Sequence, residues 1–438
     1  MKQSFETYRA LKGERNYWLY LLSNIFSRLG DSIDSIAYSW IAYELTGSAV
    51  WLTIIFGVNV LPTIFVTPLV APIVEKMNKK RIMVITSFIR AILVLLTGIL
   101  MLTGILTAPM LLVITLLMSI SESFSDPAYM AAMPQILPMD KLDTGIALRT
   151  MVSQTAQLVG AGVAGVIIGV WGGGGALVVD GTLFFISGLI LAMMRITNAI
   201  KQSESSENEE TQDDSYLHNL KAGFKYFIKK PELVLLCVLG VSVNLLLSPA
   251  NQLETAFVID TLHLDAYALS VTGIASSIGM LIGSAIYPLL KGKISLGKSI
   301  LVVGLTVVVL YGAKIGLGFI ENMVVLKYTV LFLTDALLAI SVAFFSLMTN
   351  VLFFQVIDEG YLSRMASIIN AVSIAAVPLG SLYSGSLVSF LSISQIYLIT
   401  AGLALICTFV AIRLKSMKIL DETMKNQLKG EIADEATV

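Results

Sequence analysis

The chain has 438 residues, of which 56% are apolar and only 13% charged, about half the charged share of a soluble globular protein. Its 29 lysines and arginines balance 30 aspartates and glutamates, so net charge by itself says nothing about partners; no nucleic-acid partner is expected. No aqueous fold can hide this much hydrocarbon, and the expectation is an all-α membrane protein.

A spanning helix needs roughly 20 apolar residues, and about twelve such stretches can be placed. In chain order they lie near 17–45, 48–74, 82–106, 110–133, 146–170, 175–196, 233–257, 267–290, 298–320, 324–350, 365–390 and 394–414. Residues 1 to 16 show no cleavage pattern, so the first span is expected to be retained. Basic residues fall on alternate loops. Lys2, Arg9, Lys12 and Arg15 precede span one; Lys76, Lys79, Lys80 and Arg81 follow span two; Lys141 follows span four; and Lys291, Lys293, Lys298 and Arg364 continue the series. The opposite loops offer only Lys314 and Lys327, so the positive-inside rule places both termini in the cytoplasm.

One polar break divides the chain. Glu204 to Asp214 is acidic and lacks apolar residues, which predicts a flexible tether; Tyr216 to Lys230 alternates Leu217, Leu220, Phe224 and Phe227 with lysines, which predicts an amphipathic helix at the membrane surface. Six spans precede the break and six follow. Gln135-Ile-Leu-Pro-Met-Asp-Lys-Leu142 after span four also parallels Gln355-Val-Ile-Asp-Glu-Gly-Tyr-Leu362 after span ten. The expected organisation is a first six-helix bundle (1–196), a cytoplasmic linker (197–231), a second six-helix bundle (232–416) and a cytoplasmic tail (417–438), with the bundles related by pseudo-two-fold symmetry.

The loop after span two, Ala71-Pro-Ile-Val-Glu75-Lys76-Met-Asn-Lys79-Lys80-Arg81, resembles the G-x-x-x-D-R-x-x-R-[RK]-[RK] signature of the major facilitator superfamily, with Ala71, Glu75 and Lys76 in place of glycine, aspartate and arginine. Span one, with Ser27-Arg-Leu-Gly30-Asp31, Ala37-Tyr-Ser-Trp40 and Glu44-Leu-Thr-Gly-Ser48, is similar to the opening of the drug:proton antiporter branch that includes macrolide-efflux proteins. So are Phe124-Ser-Asp-Pro127-Ala128, Asp180 with Phe184-Phe185, and Gly223-Phe-Lys-Tyr226. Two departures stand out: Met118 occupies the position of an arginine carried by many proton antiporters, and span five lacks the proline of the antiporter motif. The resemblance implies a transporter with two bundles that rock about a seam. It also implies a cytoplasmic gate at Glu75, Lys76, Lys79, Lys80 and Arg81.

An ionised side chain near the bilayer centre costs at least about 2.5 kcal/mol, so each should face a cavity or a partner. In span one, Arg28, Asp31 and Asp34 project within an arc of roughly 120°, offering a cation and two carboxylates to one cavity, or else forming a structural pair. Glu122 in span four is the foremost candidate for proton coupling, the alternative being hydrogen bonds to nearby serines. Asp126, one turn on, can join a cytoplasmic gate with Arg81 or Arg149. Asp335 in span ten, about 16 Å from Val324 by helical rise, is a further proton or substrate candidate, or a partner of Lys327. Arg90 and Lys314 are expected to snorkel to the membrane faces without a transport role. Tyr38, Tyr129, Phe345 and Asn244 are candidate substrate-cavity residues, while Gly279, Gly283 and the span-five glycines are expected at the seam between halves.

The chain has no nucleotide-binding loop and no His/Cys cluster, and Cys237 and Cys407 lie inside spans, so no cofactor, metal or enzymatic activity is expected. The expected function is secondary active transport in the cytoplasmic membrane by a monomer: efflux of a hydrophobic or amphiphilic compound in exchange for protons, its partners being the substrate, protons and the lipid bilayer. A lipid or lysophospholipid flippase, or an uncoupled facilitator for a polar solute, is the alternative. A membrane sensor or enzyme is the remote one.

Overall fold

The computed structural model describes residues 11, 13–195, 226–290, 292–320, 322–357, 362–414, 417 and 419–421. Side chains are described for all of these except 71, 72, 75, 76, 139, 140, 143, 354, 355, 362–371, 373 and 374. The acidic tether, most of the amphipathic segment, the first ten residues and nearly all of the tail lie outside the described residues.

The described chain is helical and contains no strand. Helices α1 (Arg15–Thr46), α2 (Ala49–Lys76), α3 (Lys79–Leu102) and α4 (Ala108–Ile136) are followed by one long helical run, Met139–Ala192. Within that run Gly172 takes φ 71° and ψ 175°, a conformation essentially closed to residues with a Cβ, and the run folds there into α5 (139–171) and α6 (173–192). The second half contributes α7 (Pro231–Ala256), a π-helical turn (Phe257–Thr261), α8 (Tyr267–Leu290), α9 (Leu296–Leu317), α10 (Val324–Val356), α11 (Leu362–Val388) and α12 (Ile393–Arg413). Each expected span therefore appears, most ends shifted by a few residues.

The ends follow local chemistry. Asn78 accepts from the Arg81 amide to start α3, Ser295 from the Lys298 amide to start α9, and Ser392 with Gln395 forms a reciprocal capping box on α12. Gly47 ends α1 in the left-handed region. Large apolar side chains such as Phe65, Leu69, Ile92, Leu289 and Leu382 are exposed on the helix surfaces, the reverse of a water-soluble protein and the pattern of lipid-facing helices.

The chain packs as two compact units, one drawn from residues 1–200 with 253–274 and the other from 201–252 with 275–438. In the first, α1 lies along the α5–α6 run and α3 packs on the same run. Buried hydroxyls tie these helices: Tyr17 donates to the Gly145 carbonyl (2.8 Å), and Ser23 meets Ser187 (2.8 Å). Also in this unit, Tyr43 at the end of α1 donates to Asp260 of the π-helical turn, and the Gly165 amide of α5 donates to Ser270 of α8.

In the second unit α9 packs between α10 and α12. Tyr311 donates to the Leu246 carbonyl (2.6 Å) and stacks on Tyr397 (4.8 Å), while Gln252 donates to Ser381 (2.9 Å). The four described helical residues before α7, 226–229, are anchored where the Lys230 ammonium sits over the Tyr226 ring (4.7 Å) and donates to the Val356 carbonyl (3.1 Å). Gly279 and Gly283 of α8 meet the backbone of α10 at Ala336 and Ile340. Their missing side chains thus serve packing inside the second unit, not a seam between halves, because α8 and α10 are in backbone contact there.

Candidate functional site

On α1, the spacing of Arg28, Asp31, Asp34 and Tyr38 by three, three and four residues stacks them along one face. That face borders a cavity of about 240 Å³ inside the first unit. Leu52, Ile55, Phe56 and Asn59 of α2, Arg90 of α3, and Thr115, Met118 and Glu122 of α4 complete the wall. The lining is mixed, part aliphatic and aromatic, part charged, with three carboxylates against two guanidiniums.

Those charges are not equivalent. Asp31 is clasped from both sides, by Arg28 at 3.2 Å and Arg90 at 2.6 Å, so its charge is neutralised in place. Arg90 is held in turn with its guanidinium over the Phe184 ring of α6, 4.0 Å from the centroid. Neither Asp34 nor Glu122 closes an ion pair among the described residues. Tyr38 meets the Thr97 hydroxyl at 3.3 Å and keeps its ring in the wall.

Behind α1 stands Asp180 of α6, fully buried and outside the cavity lining. It approaches α1 at Gly30, where a Cβ would fall 2.5 Å from the Asp180 Oδ1, so only glycine leaves room for that carboxyl. Its carboxyl lies beside that of Asp34.

Asp31, Asp34, Glu122, Arg28 and Tyr38 are therefore brought together. Tyr129 instead packs in the apolar core of the first unit, its ring 5.7 Å from that of Tyr20. Phe345 is buried in the second unit, and Asn244 donates to the Gly240 carbonyl (3.1 Å) on its own helix. Asp335 belongs to the second unit, where its carboxylate lies 3.7 Å from the ammonium of Lys314. In the loop motif, Lys80 donates to the Ala192 carbonyl (2.8 Å), joining α3 to the end of α6; Arg81 donates its amide to the Asn78 cap; and the Glu75 and Lys76 side chains lie outside the described residues. Lys79 is half-buried. Asp126 is exposed, and Arg149 lies over the Tyr20 ring at 5.6 Å.

Two expectations are overturned. Arg90 and Lys314 do not snorkel: Arg90 is buried against Asp31 and Phe184, and Lys314 is fully buried against Asp335. A long basic side chain stays inward when a carboxylate on a neighbouring helix replaces its water. The sequence signal for both was only that each cation stands in an apolar stretch and so needs a partner; which acid supplies it lies on another helix. Among the described residues no three His, Cys, Asp or Glu side chains gather as a metal-ligand set.

The family model of the Major Facilitator Superfamily matches residues 20–360, and the chain belongs to that superfamily. It is accordingly a multi-pass membrane transporter of small molecules with the superfamily's fold. Among its relatives, macrolide efflux protein A of Streptococcus pyogenes is 22% identical over 399 residues, covering 90% of this chain and 95% of that protein. The multidrug efflux pump Tap of Mycobacterium tuberculosis is 22% identical over 416 residues, covering 92% and 94%. Among solved structures, the nucleoside transporter NupG shares the fold with a TM-score of 0.71 at 12% identity, covering 90% of this chain and 98% of that one. A bacterial homologue of the iron transporter ferroportin in an inward-facing state matches with a TM-score of 0.68 at 14% identity, covering 91% and 99%.

Proposed function

We propose that the chain is a proton-coupled exporter of a hydrophobic or amphiphilic compound, working by alternating access of its two six-helix bundles in the cytoplasmic membrane, with both termini in the cytoplasm. The observation that carries this reading is the cavity of the first unit, where Glu122 and Asp34 face an open space beside apolar and aromatic walls without an ion pair to lock them. A carboxylate so placed can take up a proton when the cavity opens to one side and release it on the other; one already clasped by two guanidiniums, as Asp31 is, serves instead to hold them. Tyr38, Phe56 and Met118 supply polarisable surface for a bulky apolar substrate. The efflux names of the two curated relatives point the same way, each at 22% identity. Glu75, Lys76, Lys79, Lys80 and Arg81, with Asp126 and Arg149, are assigned to a cytoplasmic gate. The transporter acts as a monomer in the bilayer.

The test is efflux of a lipophilic dye from everted vesicles, with and without an imposed pH gradient, for the parent and for Glu122→Gln. The parent should lose at least tenfold of its efflux when the gradient is collapsed, and the variant should be equally slow under both conditions. Efflux that ignores the gradient in both proteins would establish an uncoupled facilitator or flippase in place of an antiporter. Met118, standing in the cavity wall where a third cation would add to Arg28 and Arg90, is the feature that favours that second reading.

A further inference from the structure

Among the described residues, Asp180 is the one fully buried carboxylate of the first unit that the cavity does not explain. Both of its oxygens lack a hydrogen-bond donor among the described residues, and so does Oδ1 of Asp34, the group it faces. Three buried acceptors without a donor are costly, at about 1–3 kcal/mol each by mutational experience, and two ionised carboxylates in contact also repel. The surrounding cations do not resolve this. From α3, Arg90 puts one terminal nitrogen on Asp31 and its face on Phe184; Arg28 of α1 reaches Asp31; and Glu122 of α4 and Asp31 of α1 add only negative charge, while Tyr38 of α1 turns to Thr97. The absence of a side chain at Gly30 is what admits Asp180 to this position at all.

We infer that Asp34 and Asp180 form a carboxyl–carboxylate pair that binds one proton between them, with Asp34 as its entry from the cavity and Asp180 as its buried half. The proton arrives from water in the cavity at Asp34, the pair passing from two negative charges to one, and the hydroxyl so formed donates to the facing carboxylate. Release reverses the step and restores both charges. No other atom is exchanged. The pair extends the proton-coupled reading above by naming a second holding point behind the cavity wall, and as a coupling element it rests on that reading. As a proton-binding site it stands on three buried oxygens without a donor among the described residues and on the close approach of Asp180 to α1 at Gly30.

Infrared difference spectroscopy on the purified full chain in liposomes separates the two. Between low and high pH the parent should show, beside the bands of Glu122 and of the other titrating acids, a protonated-carboxyl C=O band of the pair that shifts in heavy water. That band should vanish in Asp180→Asn and in Asp34→Asn, which are read separately so that misfolding of one leaves the other, and should persist in Glu122→Gln. In vesicles, Asp180→Asn, whose amide donates permanently to Asp34, should lower gradient-driven efflux at least tenfold while downhill movement of the dye stays within about twofold, the signature of a frozen protonation state (tenfold corresponds to 1.4 kcal/mol). A difference spectrum left unchanged by both aspartate variants, or a band of the pair that is lost in Glu122→Gln but kept in both of them, would overturn the pair. So would a parent that shows no such band and is instead stabilised by sodium. If the band behaves as stated but efflux ignores the gradient, the pair holds its proton and the antiport reading is what fails.

Discussion

Both units bury opposite charges in the membrane, and they do so in different ways. In the second unit Lys314 and Asp335 stand together, fully buried and nearly so. In the first, Arg28, Arg90, Asp31, Asp34 and Glu122 line an open cavity, with Asp180 behind them; Asp31 takes both guanidiniums and leaves its neighbouring carboxyls without one. A matched pair cancels itself and gains nothing from protonation. An unmatched cluster beside a cavity has a charge that can change, which is what coupling to a proton requires. On the proposed reading, the second unit's pair serves stability and the first unit's excess acid serves coupling.

The strongest way to break that contrast is Lys314→Met. It leaves Asp335 buried without the ammonium, which should cost about 3 kcal/mol, read as a fall in the detergent unfolding midpoint. Lys314→Met combined with Asp335→Leu should recover most of the loss and keep gradient-driven efflux; a double variant that is stable yet uncoupled would move the function into the second unit. Next in size, Arg90→Ala frees Asp31 from its closer partner and removes the contact with Phe184, with an expected loss of about 2 kcal/mol in the same assay. Arg90→Lys should recover less than half of it, because an ammonium has neither the fork nor the flat face.

Gly30→Ala asks whether the close approach of Asp180 matters. The added methyl meets the Asp180 carboxyl and the Phe184 ring, and a cost of about 1–2 kcal/mol is expected from overpacking. The smallest effect belongs to Tyr38→Phe, which gives up a 3.3 Å hydrogen bond to Thr97 but keeps the ring in the cavity; stability should move by about 0.5 kcal/mol, and dye affinity should be unchanged in a binding titration.

Much of the candidate site was legible along α1, because Arg28, Asp31, Asp34 and Tyr38 share one helix and helical periodicity alone places them on one face. Glu122 was legible because a carboxylate in an apolar run needs a cavity or a partner. Arg90 was misread: its own span is apolar on every side, and nothing within α3 reveals that Asp31 of another helix lies 2.6 Å away. Asp180 carried a signal as an acid in span six, but its meeting with Asp34 depends on α1 and α6 crossing at Gly30, a contact between residues 150 positions apart. Tyr129 illustrates the opposite error. Sharing a helix with Glu122 did not bring it to the cavity, since it faces the aromatic core with Tyr20.

Sequence by itself determined the class of the molecule and the approximate place of its spans, because hydrocarbon length and charge act within a few neighbouring residues and are read without knowing the fold. It also marked which helices carry an ionisable group at membrane depth. Only the tertiary structure decided which of those groups meet. Whether a carboxylate is clasped, as Asp31 and Asp335 are, or stands over open space, as Glu122 does, depends on side chains brought within a few ångströms from distant parts of the chain, and charge–charge energy falls with that distance rather than with separation in sequence.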